Sequence, residues 1–458
     1  MTVCADGIRS ACHGWSGRTT HWLPCTLLVL ASSSVWAQAV RPSPLAPVTT
    51  LALTLTAPSS QASASPATTL KQAFEAAWLR QPEALSRAAR HDAATARGQA
   101  ANSWTAEPAS LELSIKSDRL QQNQGSREDA AGLTFPLWLP GERARTGALA
   151  EAEFRAGASR LRAAELRTAA SVREAYWQWQ RARGEHELAL VRLANAHTLS
   201  ADVAKRVRAG DLARADQHQA DGAVASAEAA LAEAVSLLAS ASHQLRALSG
   251  ITPESNALAA IKSGAQGEPI PDDSAELALR QSRHPAVAEL IDRVELARGL
   301  AELASVQTRG NPEFTLAMTR DRGLDSEPYQ QSLTLGLRIP FGSDSRSRAK
   351  RSSAQAELIE VESQLGLEQS RVLAELDSAR IRLDSVRAQL KAADKRAQLA
   401  RESRSFFQKS YQLGETDLPT RLRIELEAVE AERQATRTRI DLLAAVSALR
   451  QSLGLLPQ

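Results

Sequence analysis

The stretch from residue 345 to residue 409 contains no proline and a single glycine, Gly366, and its apolar residues keep a fixed beat. Val372, Leu376, Ala379, Leu383, Val386, Leu390, Ala393, Ala397 and Ala400 are spaced 4, 3, 4, 3 throughout. That is the a/d seam of a left-handed coiled coil. At about 1.5 Å per residue such a helix is about 100 Å long. Its narrow seam, flanked by Arg, Glu and Gln, cannot wrap a globular core, so it needs partner helices along its whole length. Leu231, Val235, Leu238, Ser242 and Leu245 keep the same beat earlier in the chain.

That recurrence belongs to a longer duplication. Pro108 and Pro312, Pro136 and Pro340, Gly210 and Gly414, Gly250 and Gly454, and Pro253 and Pro457 are all 204 residues apart. Five such coincidences over this span point to two copies of one unit, 69–253 and 274–457, joined by 254–273. Each copy reads as short helices, two strands, a very long helix, a glycine turn and another long helix.

The strands alternate. In the second copy Leu333, Leu335, Leu337 and Ile339 share one face and Ser332, Thr334, Gly336 and Arg338 the other. Phe314, Leu316 and Met318 alternate in the strand before. In the first copy Ala109, Leu111, Leu113 and Ile115 do the same, followed by Leu133, Phe135, Leu137 and Leu139. From alternation alone a half-buried sheet packed on a core is favoured over a barrel wall. The long seams, which leave no core for such a sheet, favour the wall. The change from strand to helix is expected at Pro136 and again at Pro340. Phe135, Trp138 and Phe341 lie at those strand ends, where either an aromatic girdle or core packing accounts for them.

Gly210 and Gly414 are placed to end the long helices in the left-handed conformation. Asp211 and Asp417 are expected to cap the next helices, with Pro419 in the first turn. Each copy therefore closes in an antiparallel helical hairpin.

Composition agrees with long helices: aromatic residues are only 4% of the 458-residue chain. The net charge of +3 gives no field arguing for nucleic acid. Residues 1–39 read as an export signal, with Arg9 and Arg18 before the apolar run "LPCTLLVLASSSVWAQA". Cys4, Cys12 and Cys25 all fall inside it, so a processed chain has no cysteine, disulfide or thiolate site. Residues 40–68 read as a Pro/Ser/Ala-rich linker. No motif for a catalytic centre, nucleotide or cofactor is present.

The ordered elements, together with "TLKQAFEAAWLRQPEAL", "FPLWLPGERARTGALAEAE", "VRAGDLARADQHQADGAVASAEAAL" and "SYQLGETDLPTRLRIELEAVEAE", resemble the outer-membrane efflux (TolC) family. The second phrase resembles its heavy-metal branch in particular. The resemblance implies a mainly α protein with a transmembrane β part. Antiparallel coiled-coil helices form a trimeric α-barrel, and four strands per protomer complete one 12-stranded barrel. A barrel needs about eight strands, so four per chain also call for partner copies. The function implied is passive conduction through the outer membrane and periplasm, with metal cations among the candidate cargoes. The implied partners are outer-membrane lipid, a periplasmic adaptor (membrane fusion) protein and an inner-membrane pump. Gly210, Asp211, Leu212, Gln412, Leu413, Gly414 and Glu415 fall where the family meets its adaptor. Asp216 matches an entrance aspartate, whereas Thr420 stands at its counterpart in the second copy, followed by Arg421 and Arg423. His186, His197, His218 and His243 lack metal-ligand spacing and read as surface residues. Tyr176, Trp177 and Trp179 read as helix packing. A periplasmic adaptor or a coiled-coil scaffold is the alternative, disfavoured by two equivalent hairpins and four amphipathic strands.

Overall fold

A computed structural model describes residues 69–120, 123–253, 267–271, 284–342 and 344–458. The expected export signal, the linker to residue 68, and the start of the second copy to residue 283 lie outside the described residues. The chain runs through helices α1 (Leu70–Leu79), α2 (Pro82–Leu85) and α3 (Arg87–Ala101), strands β1 (Ser110–Ser117) and β2 (Arg127–Pro136), then α4 (Glu142–Ala209) and α5 (Arg214–Ser249). It continues through α6 (Pro285–Val306), β3 (Glu313–Arg322), β4 (Gln330–Arg338), α7 (Asp344–Gln412) and α8 (Leu418–Ser452).

Two helices set the scale. α4 has 68 residues and α7 has 69, each about 100 Å. α5 and α8, with 36 and 35 residues, run back along only half of that length. The other half, next to the sheet, is covered by α3 on α4 and by α6 between α4 and α7. The α7 seam is observed as expected: Val372, Leu376, Leu383, Val386, Ala393 and Ala397 are buried, and Ala379, Leu390 and Ala400 half-buried.

The α5 seam differs from the expected one. Its contact positions are Ala220, Ala227, Ala234 and Ala241, seven apart and at most 8% exposed, whereas Val235 is 48% exposed. Leu231, Leu238 and Leu245 keep their place, but the alternate positions shift by one residue, and Ser242 is only half-buried. Alanine wins because it lets the two backbones approach closely. α5 is also the one helix among the described residues long and apolar enough to cross a membrane by length and composition. Much of that apolarity is alanine, and the alanine seam lies on its neighbours.

The strands form one antiparallel sheet in the order β1-β2-β3-β4. Their limits differ from the alternation pattern: Ala109, Leu137, Leu139 and Ile339 lie outside them, and β2 reaches upstream to Arg127. The passage to helix is made after the prolines, by Gly141 (φ +81°) and Gly342 (φ +80°), both left-handed. Leu139 is buried in the first passage, and Glu142 at the start of α4 is 2% exposed. Its carboxylate accepts hydrogen bonds from the Leu139 N–H (2.9 Å) and the side-chain amides of Gln307 (2.5 Å) and Asn311 (3.0 Å). One buried acid thus fixes the α4 start to the α6–β3 connection, with every contact a satisfied donor.

Candidate functional site

The sheet sorts its side chains by row. Leu111, Leu133, Leu316 and Leu335 are paired across all four strands. The next row is Leu113, Ala131, Met318 and Leu333. On the side nearer the helices, Phe135, Phe314 and Leu337 form a third. The opposite face carries Ser110, Thr134, Thr315 and Gly336, then Ser114, Ala130, Thr319 and Ser332. The apolar face is bare: Leu111, Leu113, Leu333 and Leu335 are 64–70% exposed. β1 and β4 each pair on one side only, so both edges present free backbone groups. At the helix end of the belt Trp104 meets Phe135 edge-on at 6.0 Å, and Phe341 is exposed. Trp138 donates its indole N–H to the Ser103 carbonyl at 3.3 Å.

At the far end of the helices, the two hairpin turns come together. Gly210 (φ +89°) and Gly414 (φ +79°) adopt the left-handed conformation expected of them. Asp211, Gln412, Leu413 and Glu415 are exposed around them, and Leu212 is half-buried. Behind the turns, Leu199, Val203, Ala220, Tyr411 and Leu418 form a buried cluster that joins α4 and α5 to α7 and α8. Leu212 and Leu422 pack against it.

Tyr411 organises this cluster, and sequence reasoning passed over it. Its ring lies between the guanidinium groups of Arg206 (4.8 Å) and Arg421 (4.6 Å), one from each hairpin. Arg206 also donates to the Tyr411 carbonyl at 3.3 Å and pairs with Asp202 at 3.5 Å. Burial pushes the Tyr411 phenol up, opposed by Arg206 and Arg421, so it is neutral. Burial also lowers Arg421. The available signal was one tyrosine beside a tip glycine in an aromatic-poor chain.

The entrance candidates have local partners. Asp216 accepts the Ala213 N–H at 3.0 Å and so caps α5. The cap expected of Asp211 is therefore made by another residue, because α5 starts later and Ala213 holds the N-cap position. Asp417 is the α8 N-cap residue, but its side chain makes no cap bond; Pro419 sits in the first turn as expected. Thr420 is half-buried, Arg421 is committed to Tyr411, and Arg423 pairs with Glu427 at 3.3 Å.

Between sheet and tips, the aromatic trio is packing. Tyr176, Trp177 and Trp179 are at most 6% exposed, against Leu70, Phe74 and Leu245. His197, His218 and His243 are exposed and His186 half-buried. Among the described residues no group of His, Cys, Asp and Glu is arranged to hold a metal ion. The same level holds a buried ionic cluster with no signature in the sequence. Glu268 takes two bonds from Arg173 (2.7 and 3.1 Å) and one from Arg450 (3.2 Å), with Ser447 as a further donor.

Residues 74–251 match the family described as outer membrane efflux protein. Among solved structures, the chain is similar to the outer membrane protein VceC of Vibrio cholerae, at 19% identity over 84% of this chain and 96% of that one, with a TM-score of 0.65. It is similar to the MtrE outer membrane channel of Neisseria gonorrhoeae in its open state, at 17% identity over 84% and 89%, with a TM-score of 0.66. It is also similar to the CmeC outer membrane channel of Campylobacter jejuni, at 13% identity over 84% and 85%, with a TM-score of 0.65. At these identities the likeness is one of fold. No curated protein sequence matches the chain.

Proposed function

We propose that the chain is a member of the outer membrane efflux protein family, whose model matches residues 74–251, and that it is the outer-membrane channel component of a tripartite efflux system, extending into the periplasm. The observation that carries this is the bare leucine row, Leu111–Leu133–Leu316–Leu335, on a sheet whose two edges are open. In water, that face and those edges would aggregate. In a bilayer the face is satisfied, and the strands, 8 to 10 residues long, are of the length that crosses hydrocarbon at a tilt. Lipid still forbids open edges. Three copies, each joining β4 to the next copy's β1, close one 12-stranded barrel with the serine and threonine face inward. The unpartnered apolar residues of α7, Leu367, Ile381 and Phe406, are 66–73% exposed and suit helix contacts between copies of the same assembly.

The two copies of the unit, 69–253 and 274–457, each supply two strands and one hairpin to the wall. That is why the strand-to-helix passage occurs twice. The tips, from Gly210 to Leu212 and from Gln412 to Glu415, are the surface we assign to a periplasmic adaptor fed by an inner-membrane pump. Asp216 is assigned to the entrance. Arg421 and Arg423 offset it only in part, since Tyr411 and Glu427 already occupy them. The phrase resembling the heavy-metal branch is accounted for by the Glu142 helix start, so a metal cargo rests on the resemblance alone.

Fractionation and conductance test the channel reading. The protein should remain with outer membranes after a high-salt wash and form ion-conducting pores in planar bilayers. Release by salt with no conductance would instead support a coiled-coil scaffold. Asp216→Asn should shift the reversal potential in a salt gradient towards anions; no shift removes Asp216 from the entrance.

A further inference from the structure

The outward face of the sheet changes character at the end away from the helices. Beyond the Leu113 row lies Ile115, Asp129, Arg320 and Gln331, and beyond that Ser117, Arg127 and Arg322, with Tyr329 just before β4. Three arginines therefore follow directly on the bare apolar belt, on the same face. Arg127 and Arg322 are registered partners on β2 and β3. Like charges directly opposite each other on neighbouring strands repel. The local acids answer only part of this. Asp129 pairs with Arg127 at 3.0 Å, and Asp325 with Arg322 at 2.6 Å. Arg320 is exposed, and no acid pairs with it among the described residues. Its guanidinium lies over the Tyr329 ring at 4.1 Å, with Arg322 on the same ring at 4.9 Å. Lys116, Glu128 and Asp321 have the opposite parity and belong to the inward face, with Lys116 and Glu128 paired at 3.7 Å.

We propose that Arg127, Arg320 and Arg322 form a docking site for the phosphate groups of an anionic glycolipid in the outer leaflet. This rests on the reading of the sheet as a membrane wall. The helices leave the sheet towards the periplasm, so the hairpin ends that carry the arginines face the cell exterior. An anchored lipid would lay its acyl chains on the leucine belt while its phosphate reaches the arginines. Guanidinium suits this role because it stays charged and offers forked donors to phosphate oxygens. Tyr329 holds Arg320 and Arg322 side by side, which lowers the ordering cost of binding. The local charge is three arginines against two aspartates, a surplus that one phosphate neutralises.

The experiment uses the purified full-length protein in detergent, with native mass spectrometry as readout. The probes are bisphosphorylated lipid A, its phosphate-free form, and inorganic phosphate as competitor. Wild type should retain the phosphorylated lipid at least fivefold more than the phosphate-free form, and millimolar inorganic phosphate should displace little of it. Arg320→Ser should reduce that preference to below twofold, while Lys116→Ser, on the inward face of the same rim, should keep it. Heat-modified gel migration of each variant confirms that the barrel is intact. Equal retention of the two lipids by wild type overturns the site but leaves the membrane wall standing. Equal loss in Lys116→Ser, or full displacement by inorganic phosphate, also overturns it. Failure to retain either lipid likewise overturns the site, whereas the wall reading falls only if the protein leaves the outer membrane on a salt wash and does not conduct.

Discussion

Replacing Glu268 by Gln removes the one negative charge from a buried cluster of two arginines. The Glu268 side chain is 1% exposed and those of Arg173 and Arg450 are 5% and 4% exposed. The remaining donors have other acceptors: Arg173 reaches Gln451 and the Leu455 carbonyl, and Arg450 the Pro269 carbonyl. These contacts satisfy hydrogen bonds but not charge. Breaking a buried pair by removing one partner costs about 3–5 kcal/mol, because the other charge stays desolvated and uncompensated. At roughly 0.8 kcal/mol per degree for a folded region of this size, the melting midpoint should fall by about 4–6 °C. The assay is helical circular dichroism of the detergent-solubilised protein, scanned at one fixed rate. Glu289→Gln is the control, since its pair with Arg167 at 2.8 Å is partly exposed, with the arginine 58% exposed, and should cost under about 1 kcal/mol. Glu268 holds residues 267–271 against α4 and α8. Hydrogen exchange at 267–271 should therefore accelerate in Glu268→Gln and not in the control. Indistinguishable melting and exchange of the two variants would refute the claim that the ion cluster anchors these residues.

Leu335→Arg puts a charge in the middle of the outward belt and should cost about 2–4 kcal/mol of insertion, read as loss from the outer-membrane fraction; Ser332→Arg, on the inward face, should insert and change conductance. Tyr411→Ala should open a cavity between the hairpins and leave Arg206 and Arg421 without their shared ring. Hydrogen exchange should then rise at 199–212 and 411–422 but not around Trp179. His284, 6% exposed at the start of α6, has its pKa lowered by burial, with the Gln451 backbone and Glu368 opposing and Arg371 assisting. Its neutral form is the folded one, so its contribution is present above the unfolded histidine pKa of about 6.5 and is lost as pH falls through and below that value. The melting midpoint should drop on going from pH 7.5 to pH 5.5, and His284→Gln should flatten that dependence.

Local periodicity made α7 legible, because a seam over many heptads repeats one contact many times. The same signal misplaced half of the α5 seam. Val235 is the more apolar choice at its position, but close helix approach selects Ala234 and Ala241. The glycines of the tips were legible because a left-handed turn needs them, whereas Asp211 and Asp216 could not be ranked as caps without the helix start. Leucine alternation placed the apolar face of the sheet. It said nothing of Asp129, Arg320 and Arg322, which keep the parity of the apolar residues but lie beyond the apolar run that marked the strands. Glu268 was illegible for a simpler reason: its partners lie far away along the chain, and nothing local marks a buried acid. Tyr411 shows the same limit, since both arginines on its ring become neighbours only when the hairpins meet.

The shared barrel is tested most directly by the mass of the folded protein in detergent, measured by light scattering with the detergent contribution removed. Four strands with two open edges require partner copies, and the proposed 12-stranded barrel predicts a particle of three copies that conducts in bilayers. A stable particle of one copy, with its helical signal intact, would contradict the account, because its sheet would then have to hold two bare edges in lipid.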